Sequence, residues 1–449
     1  MWRVHNRVRH TARTLGRVLI RGLPLIKLTK CLSAALLGVL LVACGSHNGG
    51  GGTAAPANLR FVNASQDGSL TVAVDGTAQF SSVPGTSTSD YASVVAGTHT
   101  VTVTGASGTL ASPAVSVSLS PAQTYSLVAY VRDGAVVASL VTESQAAPAS
   151  GDATLGVANL SPDSGGLDLY LVAPGTPDLA GLAPTFQSAS FRAAPTWATF
   201  VAGTFDIVVT AAGNPTDVRQ RLSSISVSGG QISLLALTAT SGGALVNAVL
   251  LTQAGAVQFV PATSARVRVV SALSVSSAIP VTATVGTTSL APVFAPNPGT
   301  YTLVAGNATA YTVSAAGAPI AALPAATFAT GGDFTVLVYG AVASPGVSIL
   351  TDINQQPIVA GDVNLRLVNA GVNDAGGLTL YDNNVQVASS VAFGTASSYF
   401  GVAAANSVLE LVEPSVAPLS TSMLLGPTGS VYSVFVIDGT LTPYVIRDR

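Results

Sequence analysis

A fourfold internal repeat constrains the fold of this chain more than any other feature, because every copy must fold as the same small unit. The copies open alike, with the segments LRFVNAS from residue 59, LGVANLS from 155, VRVVSAL from 267 and LRLVNAG from 365. A second marker follows in each copy, as VAGTHTVTV from 95, VAGTFDIVV from 201, VAGNATAYTV from 304 and VAAANSVLEL from 402. We therefore predict four domains, over residues 58–147, 153–256, 264–357 and 362–449.

Each copy shows the residue pattern of β-strands. In THTVTVT, residues 98–104, the alternation places His99, Val101 and Val103 on one face, where they pack, and threonines on the other. Hairpin turns are predicted at Asp75-Gly76, Asp133-Gly134 and Asp438-Gly439. We expect an all-β chain, a tandem array of four Ig-like or transthyretin-like antiparallel β-sandwich domains of about seven strands each. The short seams between the copies predict a beaded rod with limited bending.

The first 43 residues have the order of a secretory signal. Residues 1–30 are basic, residues 32–43 are apolar, and small residues flank the end of the apolar run. This run is shorter than the stretch of about 20 residues that a membrane-spanning helix needs. We therefore predict a signal peptide over residues 1–43.

Cys44 directly follows the apolar run, and this segment resembles the bacterial lipobox. The residues that match its signal peptidase motif are Leu41, Val42 and Ala43. The resemblance implies cleavage before Cys44, a diacylglyceryl group on its thiol and an N-acyl chain such as palmitate; several acyl chains hold a protein on a membrane where one does not. Residues 44–57 read as the lipidated cysteine and a glycine-rich tether, and Gly45 in place of aspartate implies the outer membrane, on its periplasmic or its surface side. An uncleaved signal anchor with a buried Cys44 thiol is the alternative.

The second copy carries the pattern NLSPDSGGLDLYL at residues 159–171, followed by VAGTFDIVVT. This pattern resembles the bacterial extracellular family called domain of unknown function 4397 (DUF4397), whose members often repeat in lipoproteins and cell-surface proteins. The resemblance covers residues 58–449 when all four copies are counted, and it implies no established activity. The aspartate of the family's opening loop is matched by Asp67, Asp163 and Asp374, and the third copy lacks it.

Charge and motif content argue against two classes of function. Charged residues make up 8% of the chain, and eight of its 18 basic residues precede Cys44. The remainder has 10 arginines against 20 acidic residues, so it lacks the basic face that nucleic acid requires. The sequence has no HExxH, GxSxG or GxxxxGK[ST] motif. We therefore expect neither a nucleic-acid-binding protein nor an enzyme. Because Cys44 is the single cysteine within residues 44–449, we also expect no disulfide there.

The opening-loop aspartates Asp67, Asp163 and Asp374 are the candidates for a metal site. Each lies among serine, glycine or asparagine residues, whose oxygen atoms could gather around calcium. Because no DxDxDG spacing is present, Asx-turns in which these carboxylates accept backbone N–H bonds are the alternative. No cofactor is expected other than the lipid on Cys44.

The candidates for ligand binding lie in the second and longest copy. Its segment SFRAAPTWATF, residues 190–200, brings Arg192 close to Trp197. An aromatic ring with an arginine can stack on a sugar or anchor a protein partner, and core packing is the alternative. The sequence thus favours a lipid-anchored cell-envelope protein with a non-enzymatic binding, adhesion or scaffolding role, whose partners are membrane lipid and an envelope protein or polysaccharide. A glycan-binding envelope hydrolase or its accessory subunit is the second hypothesis, and a passive spacer is the third.

Overall fold

The computed structural model describes residues 54–449 except for residues 67, 106–107, 109–110, 133, 275–278, 372–376, 406, 414–418, 423–424 and 438–442. The predicted signal peptide with Leu41, Val42 and Ala43, the lipid site Cys44, the loop residues Asp67 and Asp374, and the turn residues Asp133, Asp438 and Gly439 lie outside the described residues. The described part of the chain forms strands, and it holds no helix with the length and apolar character that a membrane crossing requires.

The strands fall into four consecutive groups, here called sandwiches 1 to 4. Sandwich 1 contains β1 (Ala57–Asn63), β2 (Leu70–Val74), β3 (Thr77–Val83), β4 (Ser87–Thr88), β5 (Ala92–Val94), β6 (Gly97–Gly105), β7 (Val115–Leu119), β8 (Thr124–Arg132) and β9 (Ala135–Thr142). Sandwich 2 contains β10 (Asp152–Asn159), β11 (Leu167–Val172), β12 (Phe186–Ala189), β13 (Thr196–Val201), β14 (Gly203–Ala211), β15 (Asn214–Val227), β16 (Ile232–Ala239), β17 (Val246–Thr252) and β18 (Val257–Val260). Sandwich 3 contains β19 (Ser264–Leu273), β20 (Val281–Val285), β21 (Thr288–Ser289), β22 (Thr302–Ala305), β23 (Tyr311–Ala315), β24 (Ala318–Pro319), β25 (Asp333–Ala341) and β26 (Ser344–Asp352). Sandwich 4 contains β27 (Asp362–Asn369), β28 (Leu378–Asp382), β29 (Val385–Val391), β30 (Thr395–Ala396), β31 (Phe400–Ala403), β32 (Val408–Val412), β33 (Leu419–Ser422), β34 (Val431–Val436) and β35 (Pro443–Arg447).

Each sandwich consists of an inner sheet, which contains its first strand, and an outer sheet, which contains its second. The inner sheets have the orders β4-β1-β8-β9, β13-β10-β16-β17-β18, β22-β19-β25-β26 and β30-β27-β34-β35, with β5 also on β1 and β31 also on β27. The outer sheets have the orders β3-β2-β6-β7, β12-β11-β14-β15, β21-β20-β23-β24 and β29-β28-β32-β33. Pairing is antiparallel except for one parallel ladder in each inner sheet, between β1 and β8, β10 and β16, β19 and β25, and β27 and β34. The prediction of an all-β array of sandwiches is confirmed, and the parallel ladders are an addition to it.

Local predictions for sandwich 1 are also confirmed. Val101 and Val103 of β6 are buried in the core between the two sheets, His99 on the same face is partly buried, and the alternating threonines lie outside the core. Asp75 and Gly76 have φ values of 49° and 78°, the left-handed conformation at both central positions that a two-residue hairpin turn requires.

The sandwiches pack in pairs through their inner sheets, so the prediction of a beaded rod is wrong. Sandwiches 1 and 2 share a buried apolar layer that includes Val62, Val128 and Leu234. Sandwiches 3 and 4 share a second layer that includes Leu337 and Val368. The inner strands are therefore apolar on both faces, which explains why hydrophobic residues reach 48% of the chain.

Sandwich 2 extends further along the chain than the repeat pattern indicated. Its last strand, β18, pairs with β17 and adds an edge to the inner sheet. Val257 and Phe259 of β18 pack against the apolar layer shared with sandwich 1. The segment after residue 256, which the sequence analysis treated as a seam, is thus part of the interface between the two sandwiches.

Candidate functional site

Trp197 lies on β13 and faces a glycine in the neighbouring strand. It pairs with Gly156 of β10, and a Cβ atom at residue 156 would lie 2.6 Å from the indole ring. A glycine is therefore needed for the ring to lie against this strand. The partly buried indole packs on the apolar layer between sandwiches 1 and 2, so the predicted packing role and the predicted binding role meet at the same side chain.

Arg192 reaches the same region from the loop that precedes β13. Its backbone is left-handed, with a φ of 55°, and its N–H donates to the carbonyl oxygen of Asn159 over 2.9 Å. The guanidinium carbon lies 5.1 Å from the centroid of the Phe191 ring. Within the described part of the chain, the exposed Arg192 forms no ion pair.

Arg192 and Trp197 line one side of a groove of about 500 Å³ between sandwiches 1 and 2. Residues 115–118 of β7 and 138–142 of β9, all in sandwich 1, form the other side. Apolar side chains alternate with hydroxyls there, and the hydroxyl of Ser139 is buried without a hydrogen-bond partner among the described residues. The volume lies within the range of about 300–1,000 Å³ that is usual for small-molecule sites. An aromatic face, a cation and hydroxyl groups around such a space fit a sugar.

A groove of about 520 Å³ occupies the equivalent place between sandwiches 3 and 4. It is lined by residues 347–351 of β26 in sandwich 3 and by residues 394–399 of sandwich 4. Tyr399 stands where sandwich 2 has Trp197, and an arginine, Arg366, stands where sandwich 2 has a glycine. The two pairs of sandwiches therefore carry the same groove with a different aromatic residue.

Buried arginines form a second feature of the inner sheets, which the sequence analysis missed. One occupies the second position of the opening segment in sandwiches 1, 3 and 4, and each is at most 3% exposed. Each guanidinium lies 4.7 to 4.8 Å from the centroid of a tyrosine ring, and each Nε donates to a hydroxyl over 2.7 to 2.9 Å. The clusters are Arg60, Tyr91 and Ser126 in sandwich 1, Arg268, Tyr301 and Thr335 in sandwich 3, and Arg366, Tyr399 and Ser433 in sandwich 4.

In the pair formed by sandwiches 3 and 4, these arginines are neutralised across the interface. Arg366 of sandwich 4 pairs with Asp352 of sandwich 3, and Arg268 of sandwich 3 pairs with Asp448 of sandwich 4 over 2.6 Å. Burial acts to raise the pKa of Asp352, but the guanidinium groups of Arg366 and Arg268 hold it below its ordinary value. Each sandwich thus supplies a carboxylate to a buried arginine of the other. Separating the two sandwiches would leave these buried charges unpaired, which stabilises the packed arrangement.

The pair formed by sandwiches 1 and 2 has only one such cluster in its described residues. Arg60 pairs with Glu143 of its own sandwich over 2.8 Å and donates to the carbonyl oxygen of Gly255 in sandwich 2 over 2.7 Å. Sandwich 2 supplies no matching arginine to the interface, because Gly156 occupies the equivalent position and the indole of Trp197 lies against it. The glycine at residue 156 thus accounts both for the missing arginine and for the tryptophan in the groove wall.

Asp163 is the one loop aspartate among the described residues, and it is fully buried between sandwiches. Its carboxylate accepts hydrogen bonds from Arg132 of sandwich 1 over 2.5 and 2.6 Å and from the N–H of Gln356, in the segment before sandwich 4, over 2.8 Å. Arg449 of sandwich 4 lies 3.7 Å away. No group of three His, Cys, Asp or Glu side chains with metal-binding geometry occurs in the described residues. The surroundings of Asp163 are those of an ion pair that joins sandwiches.

The Asx-turns of the opening loops form around asparagine, which the sequence analysis did not single out. The side-chain oxygens of Asn63 and Asn159 accept the N–H groups of Ser65 and Ser161 over 3.1 and 3.0 Å. The amide groups of these asparagines and of Asn369 also donate to carbonyl oxygens of the outer sheet, at Val83, Ala189 and Val391. The asparagine in the opening segment was the available signal, since it recurs in three copies.

Residues 57–170 match the sequence model of the family described as Domain of unknown function (DUF4397). The predicted resemblance to this family is thereby confirmed over residues 57–170. The match begins at β1, covers sandwich 1 and ends in β11 of sandwich 2. It therefore includes the strand β10 that carries Gly156, and it ends before Arg192 and Trp197.

No curated protein matches the sequence significantly. Among solved structures, the chain is similar to the Bacillus anthracis TIE protein at 9% identity and a TM-score of 0.14, over 82% of this chain and 66% of that one. It is similar to the family 26 carbohydrate-binding module of Eubacterium rectale Amy13K in complex with maltoheptaose at 12% identity and a TM-score of 0.15, over 44% of this chain and 97% of that one. The third, a product complex of the pneumococcal glycogen-degrading protein SpuA, has 10% identity and a TM-score of 0.15, over 81% and 37% of the two chains. These TM-scores carry no argument about function.

Proposed function

We propose that this protein is a non-enzymatic binding module of the cell envelope, held on the outer membrane by lipid on Cys44, and that it binds a polysaccharide in the grooves between paired sandwiches. The groove beside Trp197 is the observation that carries the proposal. The order of the predicted signal and the glycine-rich tether at residues 44–57 support the anchor.

The lining of the groove suits a sugar ring. The apolar face of a sugar can stack on the indole of Trp197, while its hydroxyls or a uronic carboxylate can accept hydrogen bonds from Arg192. The exposed residues Ser116 and Ser118 on the opposite wall supply hydroxyls for further hydrogen bonds to a sugar. Because the groove lies between two sandwiches whose shared layer is apolar, its two walls are held at a fixed spacing.

The repetition of the groove suits a polymer. A second groove of about 520 Å³ lies between sandwiches 3 and 4 and presents Tyr399 in place of Trp197. Two weak sites on one chain that engage the same polymer gain affinity through their effective concentration. A polysaccharide offers such repeated ligands, whereas a monosaccharide does not.

Binding to isolated envelope polysaccharides tests the proposal. The purified full chain is mixed with insoluble peptidoglycan, where binding is followed by co-sedimentation, and with soluble lipopolysaccharide-derived polysaccharide, where it is followed by calorimetric titration. We expect Trp197→Ala to weaken binding about tenfold or more, as for an aromatic anchor. Arg192→Gln, which alters an exposed side chain and leaves the apolar layer intact, is expected to weaken it in the same direction.

Phe294→Ala is the matched control, because Phe294 is a 40% exposed aromatic side chain on sandwich 3. Absence of binding to both polysaccharides, or equal losses in Trp197→Ala and Phe294→Ala, would refute the proposed groove. Release of new reducing ends that stops in Trp197→Ala would replace the binding module by the hydrolase of the second hypothesis.

A further inference from the structure

An arginine-rich cavity of about 840 Å³ lies where sandwiches 2, 3 and 4 meet, apart from both grooves. Sandwich 2 contributes residues 214 and 216–219 of β15, sandwich 3 contributes residues 298–303 and two arginines of β19, and sandwich 4 contributes residues 446–449. Because three sandwiches supply its walls, the cavity exists only in the packed arrangement of the chain.

The cavity concentrates the positive charge of the molecule. Five of the ten arginines that follow Cys44 line it, against two aspartates, Asp217 and Asp448. These arginines are Arg219, Arg266, Arg268, Arg447 and Arg449. The part of the chain after Cys44 has twice as many acidic as basic residues, so this grouping runs against the charge of its surroundings.

Two of the five arginines are neutralised by buried carboxylates. Arg266 donates to both oxygens of Asp333 over 2.8 and 2.6 Å. Arg268 lies 2.6 Å from Asp448. Both arginines line the cavity; the first ion pair lies within sandwich 3 and the second joins sandwiches 3 and 4.

The other three arginines have fewer partners than they can use. Arg219 donates to Asp217 over 2.7 Å and to the carbonyl oxygen of Ala244 over 2.9 Å, but its buried Nε has no hydrogen-bond partner among the described residues. Arg447 is exposed and donates to the backbone oxygen of Arg449 over 2.8 Å, and among the described residues no aspartate or glutamate side chain pairs with it. Arg449 lies 3.7 Å from Asp163, which also pairs with Arg132. It also donates to the carbonyl oxygens of Asn354 over 3.1 Å and Pro162 over 3.5 Å.

The pKa of Arg449 is lowered mainly by burial and further by the neighbouring arginines. Burial lowers its pKa to about 10, and although Asp163 acts to raise it, Arg219, Arg132 and Arg266 lower it further. An anion in the cavity would relieve this repulsion. The charge of the site is therefore incompletely balanced by the protein's own carboxylates.

We infer that this cavity is a binding site for a small molecule that carries at least two oxyanion groups, either phosphates or carboxylates. The planar guanidinium fork binds both groups through paired hydrogen bonds. Arg447 offers its exposed guanidinium, and Arg219 and Arg449 beside it make fewer hydrogen bonds than their five N–H donors allow. The volume of the cavity is within the range of about 300–1,000 Å³ that small-molecule sites occupy. The inference is independent of the proposed polysaccharide groove.

Calorimetric titration of the purified full chain at low ionic strength tests this site, with pyrophosphate as the phosphate probe and citrate as the carboxylate probe. We expect saturable binding of at least one probe with one molecule per chain. Arg447→Gln and Arg219→Gln are each expected to weaken it about tenfold, as for the loss of a charge-assisted hydrogen bond. Arg221→Gln removes the same charge outside the cavity, at a side chain that pairs with Asp206, and is expected to leave affinity within about twofold.

The relative affinity of the two probes identifies the oxyanion chemistry. Absence of binding by both probes at concentrations up to about 10 mM overturns the inference. Equal weakening by Arg221→Gln and Arg447→Gln also overturns it, because the attraction would then reflect the net charge of the chain. Thermal melting of each variant without a probe separates loss of the site from loss of the fold.

Discussion

Replacement of Arg366 by methionine tests whether the buried charges, in addition to the apolar layer, hold sandwich 4 to sandwich 3. Arg366 is 1% exposed and donates to the hydroxyl of Ser433 over 2.8 Å and to the carbonyl oxygen of Thr351 over 3.0 Å. It also pairs with Asp352 of sandwich 3. Methionine keeps much of the side-chain volume and removes the charge together with every hydrogen-bond donor.

The expected loss of stability follows from what remains around Asp352. This carboxylate is fully buried, and without Arg366 its nearest cation is Arg268 at 3.7 Å. Tyr301 and Thr335 still donate to it over 2.6 Å, so the carboxylate is solvated in part. Removal of one partner of a buried ion pair costs about 3–5 kcal/mol, and we expect Arg366→Met to lower the free energy of unfolding by this amount.

Urea unfolding followed by circular dichroism measures the effect, and hydrogen exchange of β27 locates it. With a slope of about 2 kcal/mol per molar urea, the midpoint should fall by about 1.5–2.5 M. Arg192→Met is the matched control, because Arg192 is exposed and forms no ion pair among the described residues, and it should cost less than about 0.5 kcal/mol. In a double-mutant cycle, Arg366→Met and Asp352→Asn should couple by about 1–3 kcal/mol. A midpoint shift equal to that of the control, or additive effects in the cycle, would refute the reasoning.

Two further predictions concern His99 and Cys44. The hydrogen bond from His99 Nδ1 to Asp75, 2.7 Å long, raises the pKa of His99 even though partial burial acts to lower it. The contribution of this pair to the free energy of unfolding should therefore be complete below a pH of about 6.5, and it should be lost as the pH rises through the raised pKa. Asp75→Asn should return the pKa of His99 toward its ordinary value in an NMR titration of the ring protons, and an unchanged pKa would contradict the assignment. Cys44→Ser should abolish incorporation of labelled palmitate and release the protein from washed membranes, whereas normal processing with retention on membranes would show that the lipid anchor is wrong.

The sequence predicted the strands and the sandwich class well, because these depend on local pattern. Alternation in β6 placed Val101 and Val103 in the core, and Asp75-Gly76 supplied the two left-handed residues of a hairpin. The repeat markers identified four copies because insertions between strands are small. These signals come from neighbours along the chain or from one face of one strand.

The pairing of sandwiches was missed because it depends on the second face of the inner sheets. Strands such as β16, ISLLALTA, are apolar at nearly every position, and every residue of β16 is buried. Continuous apolar runs of this kind indicate sheets covered on both sides. In an all-β chain with short seams, the partner on the second side has to be another sandwich.

The buried arginines were missed because their partners lie far away in the sequence. In β1, Arg60 shares a face with Val62, which belongs to the layer between sandwiches 1 and 2, so strand alternation alone places this charge inside an interface. Its carboxylate, Glu143, is 83 residues away. Only the fold brings them together, and the same is true of the five arginines around the cavity.

Sandwich 2 has a glycine where the other three sandwiches have a buried arginine, and this difference affects both the stability of the chain and the groove beside Trp197. A buried cluster that needs an arginine, a carboxylate and a hydroxyl is retained in three copies, where loss of one member leaves another charge unpaired. In sandwich 2 the whole cluster is replaced, because Gly156 pairs with Leu234 on one side and with Trp197 on the other. No unpaired buried charge results from this replacement. Apolar replacement of a whole cluster is often neutral for stability, and here it also gives the groove a tryptophan wall. Copies 1 and 2 thus differ at positions where a substitution can turn part of the interface into a binding surface while the two sandwiches stay packed together.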